Sequence, residues 1–153
     1  MTTVALEKDG QTIRVNSDAV AEHLALGWQV AIASVDVENV AITIGDQDVH
    51  TINVAVQLLD AQGESLAAGV SVLAFLADDD TGLSATGTAP AGHVAVGTNG
   101  GCTHLVTDKV FMLHADANGQ LNIDVTDSGT STWYLVLILP TGKRLVSNAI
   151  TFA

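Results

Sequence analysis

Ile52-Asn53-Val54-Ala55-Val56-Gln57-Leu58, closed by the turn Asp60-Ala61-Gln62-Gly63, sets the grammar for most of this chain. Apolar residues recur at every second position, the period of a half-buried strand, and Asp and Gly supply the turn. The pattern repeats downstream. Val70-Ser71-Val72-Leu73-Ala74-Phe75-Leu76 precedes the turn Asp78-Asp79-Asp80-Thr81-Gly82. Gln120-Leu121-Asn122-Ile123-Asp124-Val125 follows Asp116-Ala117-Asn118-Gly119, and Trp133-Tyr134-Leu135-Val136-Leu137-Ile138-Leu139 runs into Pro140-Thr141-Gly142. A last strand is expected at Ala149-Ile150-Thr151-Phe152-Ala153. Short strands at this spacing predict a mainly β chain built as an antiparallel β-sandwich. A sandwich presents faces and loops more readily than a deep cleft, which favours a binding or structural module over an enzyme.

Upstream, Val35 to Ile44 alternates well enough for a first sandwich strand, with a turn expected at Gly45-Asp46-Gln47-Asp48. The stretch from Thr81 to Thr103 is rich in Gly, Thr and Ala. It reads as a long loop holding a short strand at His93-Val94-Ala95-Val96, and loops of that length are commonly functional or interface-forming. Residues 1–32 differ from the rest. Val4-Ala5-Leu6 and Ile13-Arg14-Val15 flank Lys8-Asp9-Gly10, and Asp-Gly between apolar runs is a strong hairpin signal. Asn16 or Ser17 is placed to cap a short helix over Asp18 to Leu26, with Asp18 and Glu22 near its positive end. Gly27 ends that helix, and Trp28 is expected to fold over the face of Val20 and Leu24. The expected organisation is a hairpin-helix docking module at 1–32 and a sandwich domain at 33–153. A module of about 30 residues has too little core to be very stable alone.

Composition narrows the function. The chain has 153 residues, 48% hydrophobic and only 14% charged, against about a quarter charged in a typical soluble domain. No apolar run approaches the roughly 20 residues of a membrane-spanning helix. The excess apolar surface is therefore assigned to a core plus an oligomer interface. Seventeen acidic residues against five Lys and Arg give a net charge of −12. Such a chain repels phosphate backbones and anionic lipid, so neither nucleic acid nor membrane is an expected partner. A single cysteine, Cys102, excludes an intrachain disulfide and reads as an inert small residue. Met1-Thr2-Thr3-Val4 lacks the basic and apolar regions of a signal peptide, so synthesis in a cytoplasm is expected.

Candidate chemistry is sparse. The five histidines, His23, His50, His93, His104 and His114, show no compact ligand spacing, and Cys102 with His104 is too isolated to count. His93, His104 and His114 lie at strand-and-turn distances, so a fold could gather them, but scattered polar positions on strands are the reading expected here. Asp78-Asp79-Asp80 and Asp116-Ala117-Asn118-Gly119 suggest calcium ligands, yet Asp, Asn and Gly are also ordinary turn formers. No Gly-x-Ser-x-Gly elbow, H-E-x-x-H helix or complete phosphate-binding loop is present. Aromatic residues make up 4%, too few for a glycan-stacking or single-strand platform. Trp133 and Tyr134 are expected in the core. No catalytic, cofactor-binding or metal-binding residue is therefore assigned, and no cofactor is expected.

Several segments resemble proteins of tailed bacteriophage particles. Val54 to Val72, with its Asp60-Ala61-Gln62-Gly63 turn, resembles the opening of Ig-like domains in bacterial and phage surface proteins, and Asp116-Ala117-Asn118-Gly119 their internal turn. Leu139 to Ala153 is similar to the C-termini of small virion proteins. Val4 to Trp28 is similar to modules that open head and connector proteins, a "KDG" hairpin followed by a helix ending in "LGW". The resemblance implies an Ig-like β-sandwich and a virion structural role, foremost a capsid decoration (cement) protein. Such a protein would sit on the capsid surface as a homotrimer, with the major capsid protein as partner. The alternative it implies is an Ig-like adhesion or ligand-binding module of a tail or fibre.

Overall fold

The computed structural model describes residues 3–9, 11–30 and 37–153. Its contacts divide the chain into two compact units, Met1–Ser34 and Val35–Ala153. The boundary expected between residues 32 and 33 lies outside the described residues.

In the first unit, β1 (Thr3–Lys8) and β2 (Gln11–Asn16) form an antiparallel hairpin in register from Thr3↔Asn16 to Lys8↔Gln11. Asp9 sits at the turn with φ 50°, the left-handed geometry that two-residue hairpin loops require. The helix begins later than expected. A 3-10 turn at Ser17–Ala19 carries the chain into α1 (Val20–Ala25), whose N-cap is Ala19 with no side-chain cap bond. The cap position of α1 thus lies past Asn16 and Ser17, because the tighter turn moves the helix start. Gly27, at φ 84°, does end the helix, donating its N–H to Leu24 O at 3.0 Å. Lys8 Nζ donates to Leu26 O at 2.7 Å, placing a cation at the negative helix end. Trp28 departs from expectation: its ring stands edge-on to His23, 6.4 Å between centroids, and Leu24 stays exposed. The chain then forms β3 (Gln29–Val30), a third strand paired to β1.

The second unit is the sandwich. Its strands are β4 (Asn39–Asp48), β5 (Thr51–Leu59), β6 (Ser71–Ala77), β7 (His93–Val96) and β8 (Gly101–Val106). They continue with β9 (Val110–His114), β10 (Gln120–Thr126), β11 (Thr132–Ile138) and β12 (Arg144–Thr151). One sheet runs β4-β5-β10-β7 and the other β12-β11-β6-β9-β8, with every pairing antiparallel. Taking β4, β5 and β6 as the first three strands and β10, β11 and β12 as the last three reproduces the A-B-E and G-F-C sheets of an Ig-like sandwich. The middle differs in its path. β7 occupies the D position, and the chain then reaches the outermost position of the other sheet (β8) before the one beside β6 (β9).

Alternation in β5 is complete: Ile52, Val54, Val56 and Leu58 are buried and their neighbours are not. β11 is more continuously buried, because Gly82 of the β6–β7 loop covers its outer side. A Cβ at Gly82 would come within 2.8 Å of Val136 and Val146 side chains. Trp133 is a core residue, edge-on to Phe152 at 5.9 Å, with its indole N–H donated to Thr88 O at 3.2 Å. The turn expected at Gly45–Asp48 is instead part of β4. The register shifts between Ile44 and Gln47, so the chain bulges there and turns at Val49 and His50.

Candidate functional site at the edge between the two sheets

A two-sheet sandwich is open along both sides, and each side must be closed. On one side, β4 lies beside β12. Gln47 Oε1 accepts the Ala153 N–H at 2.9 Å, and its Nε2 donates to Ala153 O at 3.2 Å and to Val49 O at 2.8 Å. Lys143 Nζ adds a bond to Glu38 O at 3.1 Å. This seam is closed chiefly by a neutral amide.

On the other side β7 lies beside β8, and three titratable side chains meet there. His93 Nδ1 is 2.6 Å from Asp108 Oδ1, His104 Nδ1 is 3.6 Å from the same oxygen, and the two imidazoles stack at 5.2 Å and 12°. The Val94 N–H also donates to Asp108 Oδ1, at 2.8 Å, and the Asp108 N–H donates to His104 Nδ1 at 3.1 Å. Beneath them, Phe111 meets His104 edge-on at 5.2 Å. Local backbone geometry builds the cluster. His93 opens β7 at φ 112° and Asp108 sits in the β8–β9 turn at φ 56°, both conformations that L side chains seldom adopt. Burial pushes the Asp108 carboxyl up; the Val94 amide, the His93 hydrogen bond and the two imidazoles outweigh it and hold it below the ordinary range. Burial, followed by the Asp108 charge, raises the Cys102 thiol, so Cys102 is a poor nucleophile.

The structure thus unites two of the three histidines whose spacing allowed a meeting. His114 goes elsewhere, with Nδ1 at 2.7 Å from Ser71 Oγ and Nε2 at 3.2 Å from Thr103 Oγ1. His23 Nδ1 lies 2.9 Å from Ala19 O in the first unit, and His50 is exposed in the β4–β5 turn. Asp108 was not singled out from the sequence. Its signal was available: Thr107-Asp108-Lys109 separates two β-type runs, which marks a hairpin turn four residues past His104.

The acidic turns spend their carboxylates on their own backbone. Asp116 Oδ1 accepts the Asn118 and Gln120 N–H groups at 2.8 and 3.0 Å, and Asp60 Oδ1 does the same for Gln62 and Glu64, both at 2.9 Å. Asp78 bonds the Thr86 hydroxyl and, at 3.3 Å, the Gly87 N–H, while Asp79 accepts the Thr81 N–H at 2.9 Å and its hydroxyl. The bonds of Asp116, Asp60 and Asp79 are Asx-type turns. Gly119, at φ 71°, passes so close to Leu66 O that a Cβ there would collide with it.

Among the described residues the His93–His104–Asp108 group is the one cluster with metal-ligand chemistry, and no helix is long and apolar enough to cross a membrane. No protein-family model and no curated protein matches the chain.

Proposed function

We propose that this protein is a non-catalytic virion structural protein of a tailed bacteriophage, a capsid decoration protein that binds the outer surface of a shell built from the major capsid protein. Its working form is a trimer made in the host cytoplasm and carried on the virion. The observation that supports this reading most is the contrast between a sandwich with its own core and a small unit whose helix has no fully buried residue. Leu24 and Leu26 are 44% and 66% exposed on or next to α1, and no α1 residue is buried. Exposed apolar side chains on a compact module suit a docking contact. Trimerisation then adds multivalency, since each later contact with the shell becomes intramolecular.

The chemistry of the sandwich is compatible with adhesion. The Asp60, Asp79 and Asp116 carboxylates are tied into turns, and burial raises the Cys102 thiol. The test is cosedimentation of the full chain with shells assembled from the major capsid protein. Saturable binding is expected, with Leu24→Asp and Leu26→Asp abolishing it while the melting temperature of the sandwich holds. Failure of the unaltered chain to bind would sink the proposal.

A further inference from the structure

We propose that His93, His104 and Asp108 form a site for one divalent transition-metal ion of the zinc, nickel or copper(II) class, which fastens the β7 edge to the β8–β9 hairpin. One donor atom from each residue lies within 4.8 Å of the other two. Two ligands at tetrahedral angles on one such ion sit about 3.4 Å apart, since each bond is roughly 2.0–2.1 Å. The donors therefore need to close by at most about 1.5 Å to reach a bound arrangement. Two imidazoles and one carboxylate make a donor set that suits these ions and leaves positions for water.

The geometry favours ligation. His93 Nδ1 lies 2.6 Å from Asp108 Oδ1, and the His93 side chain is 56% exposed. Asp108 Oδ2 carries no hydrogen bond among the described residues, while Oδ1 holds the Val94 amide and His93. The lone pair of His104 Nδ1 already faces the cluster, where it accepts the Asp108 amide. Two features limit affinity. The stacked rings are nearly parallel, so their lone pairs converge only when the exposed His93 ring turns. The ion must also compete with the Asp108 amide for His104. Micromolar rather than tighter binding is expected. The other histidines lack this convergence, and both nitrogens of His114 are already engaged.

The test is calorimetric titration of the full chain with zinc chloride and nickel chloride, beside thermal melts with zinc before and after EDTA. One ion per chain at micromolar affinity is expected, with a rise in melting temperature that EDTA reverses. His93→Ala and Asp108→Asn should each weaken binding by about tenfold or more, and His50→Gln should leave it unchanged. His93 is exposed, so its variant carries the test even where Asp108→Asn fails to fold. Binding only at millimolar metal, several ions per chain, or unchanged binding in His93→Ala would overturn the site.

Discussion

The two open sides of the sandwich meet the same physical demand with different chemistry. At the β4–β12 side, the Gln47 amide donates to and accepts from Ala153, at 3.2 and 2.9 Å. The Gln47 amide keeps one charge state at every ordinary pH and binds metals poorly. At the β7–β8 side, Asp108 gathers the Val94 amide and two imidazoles. The first seam is indifferent to its surroundings. The second is held by groups that respond to protons and to metal ions. Left-handed backbone occurs on both sides, at His93 and Asp108 on the responsive one and at Val49, φ 56°, beside Gln47 on the other.

The largest effect expected from breaking this comparison comes from the floor of the responsive seam. Phe111 is fully buried and supports His104, so Phe111→Ala should cost about 3–5 kcal/mol through lost burial and a cavity. Urea denaturation would measure it. A shift below about 1 kcal/mol would show that β9 does not carry that side of the core.

Next come the seams themselves. Asp108→Ala orphans the partly buried Val94 N–H and is expected to cost about 1–3 kcal/mol, the penalty for an unmatched donor. Gln47→Ala loses exposed bonds to Ala153 and should cost less, about 0.5–1.5 kcal/mol. Equal costs, or a larger one at Gln47, would erase the asymmetry. The smallest effect lies in the loop that feeds β7. The Thr81 hydroxyl and then its amide hold the exposed Asp79 carboxyl below the ordinary range. A depressed carboxyl contributes stability at pH values above the unfolded-state pKa, about 4, and loses it as pH falls through the lower folded value. Asp79→Asn should therefore shallow the acid limb of a stability-against-pH curve and leave its slope near neutrality unchanged.

Much of the fold was legible in the sequence because local rules govern it. Period-2 alternation located β5, β6, β10 and β11, and Asp9 together with Gly27 marked the hairpin and the helix end. The Asp116 and Asp60 turns were legible too, since Asx geometry depends on neighbours within four residues. Other features were not. Gly45 to Asp48 carries turn-type residues, yet pairing with β5 holds it in strand with a bulge. β8 and the hairpin to β9 went unread, because the Gly-rich run before Cys102 masked where pairing resumes. The seam was the least accessible. His93 and His104 come from different sheets, and their contact depends on the unusual order in which the chain visits β7, β8 and β9.

The proposed virion role is tested most directly by counting copies of this chain per purified phage particle after density-gradient sedimentation. A copy number comparable to that of the major shell protein is the expected result. A handful of copies would move the chain to a tail or fibre, and none would contradict a virion role altogether.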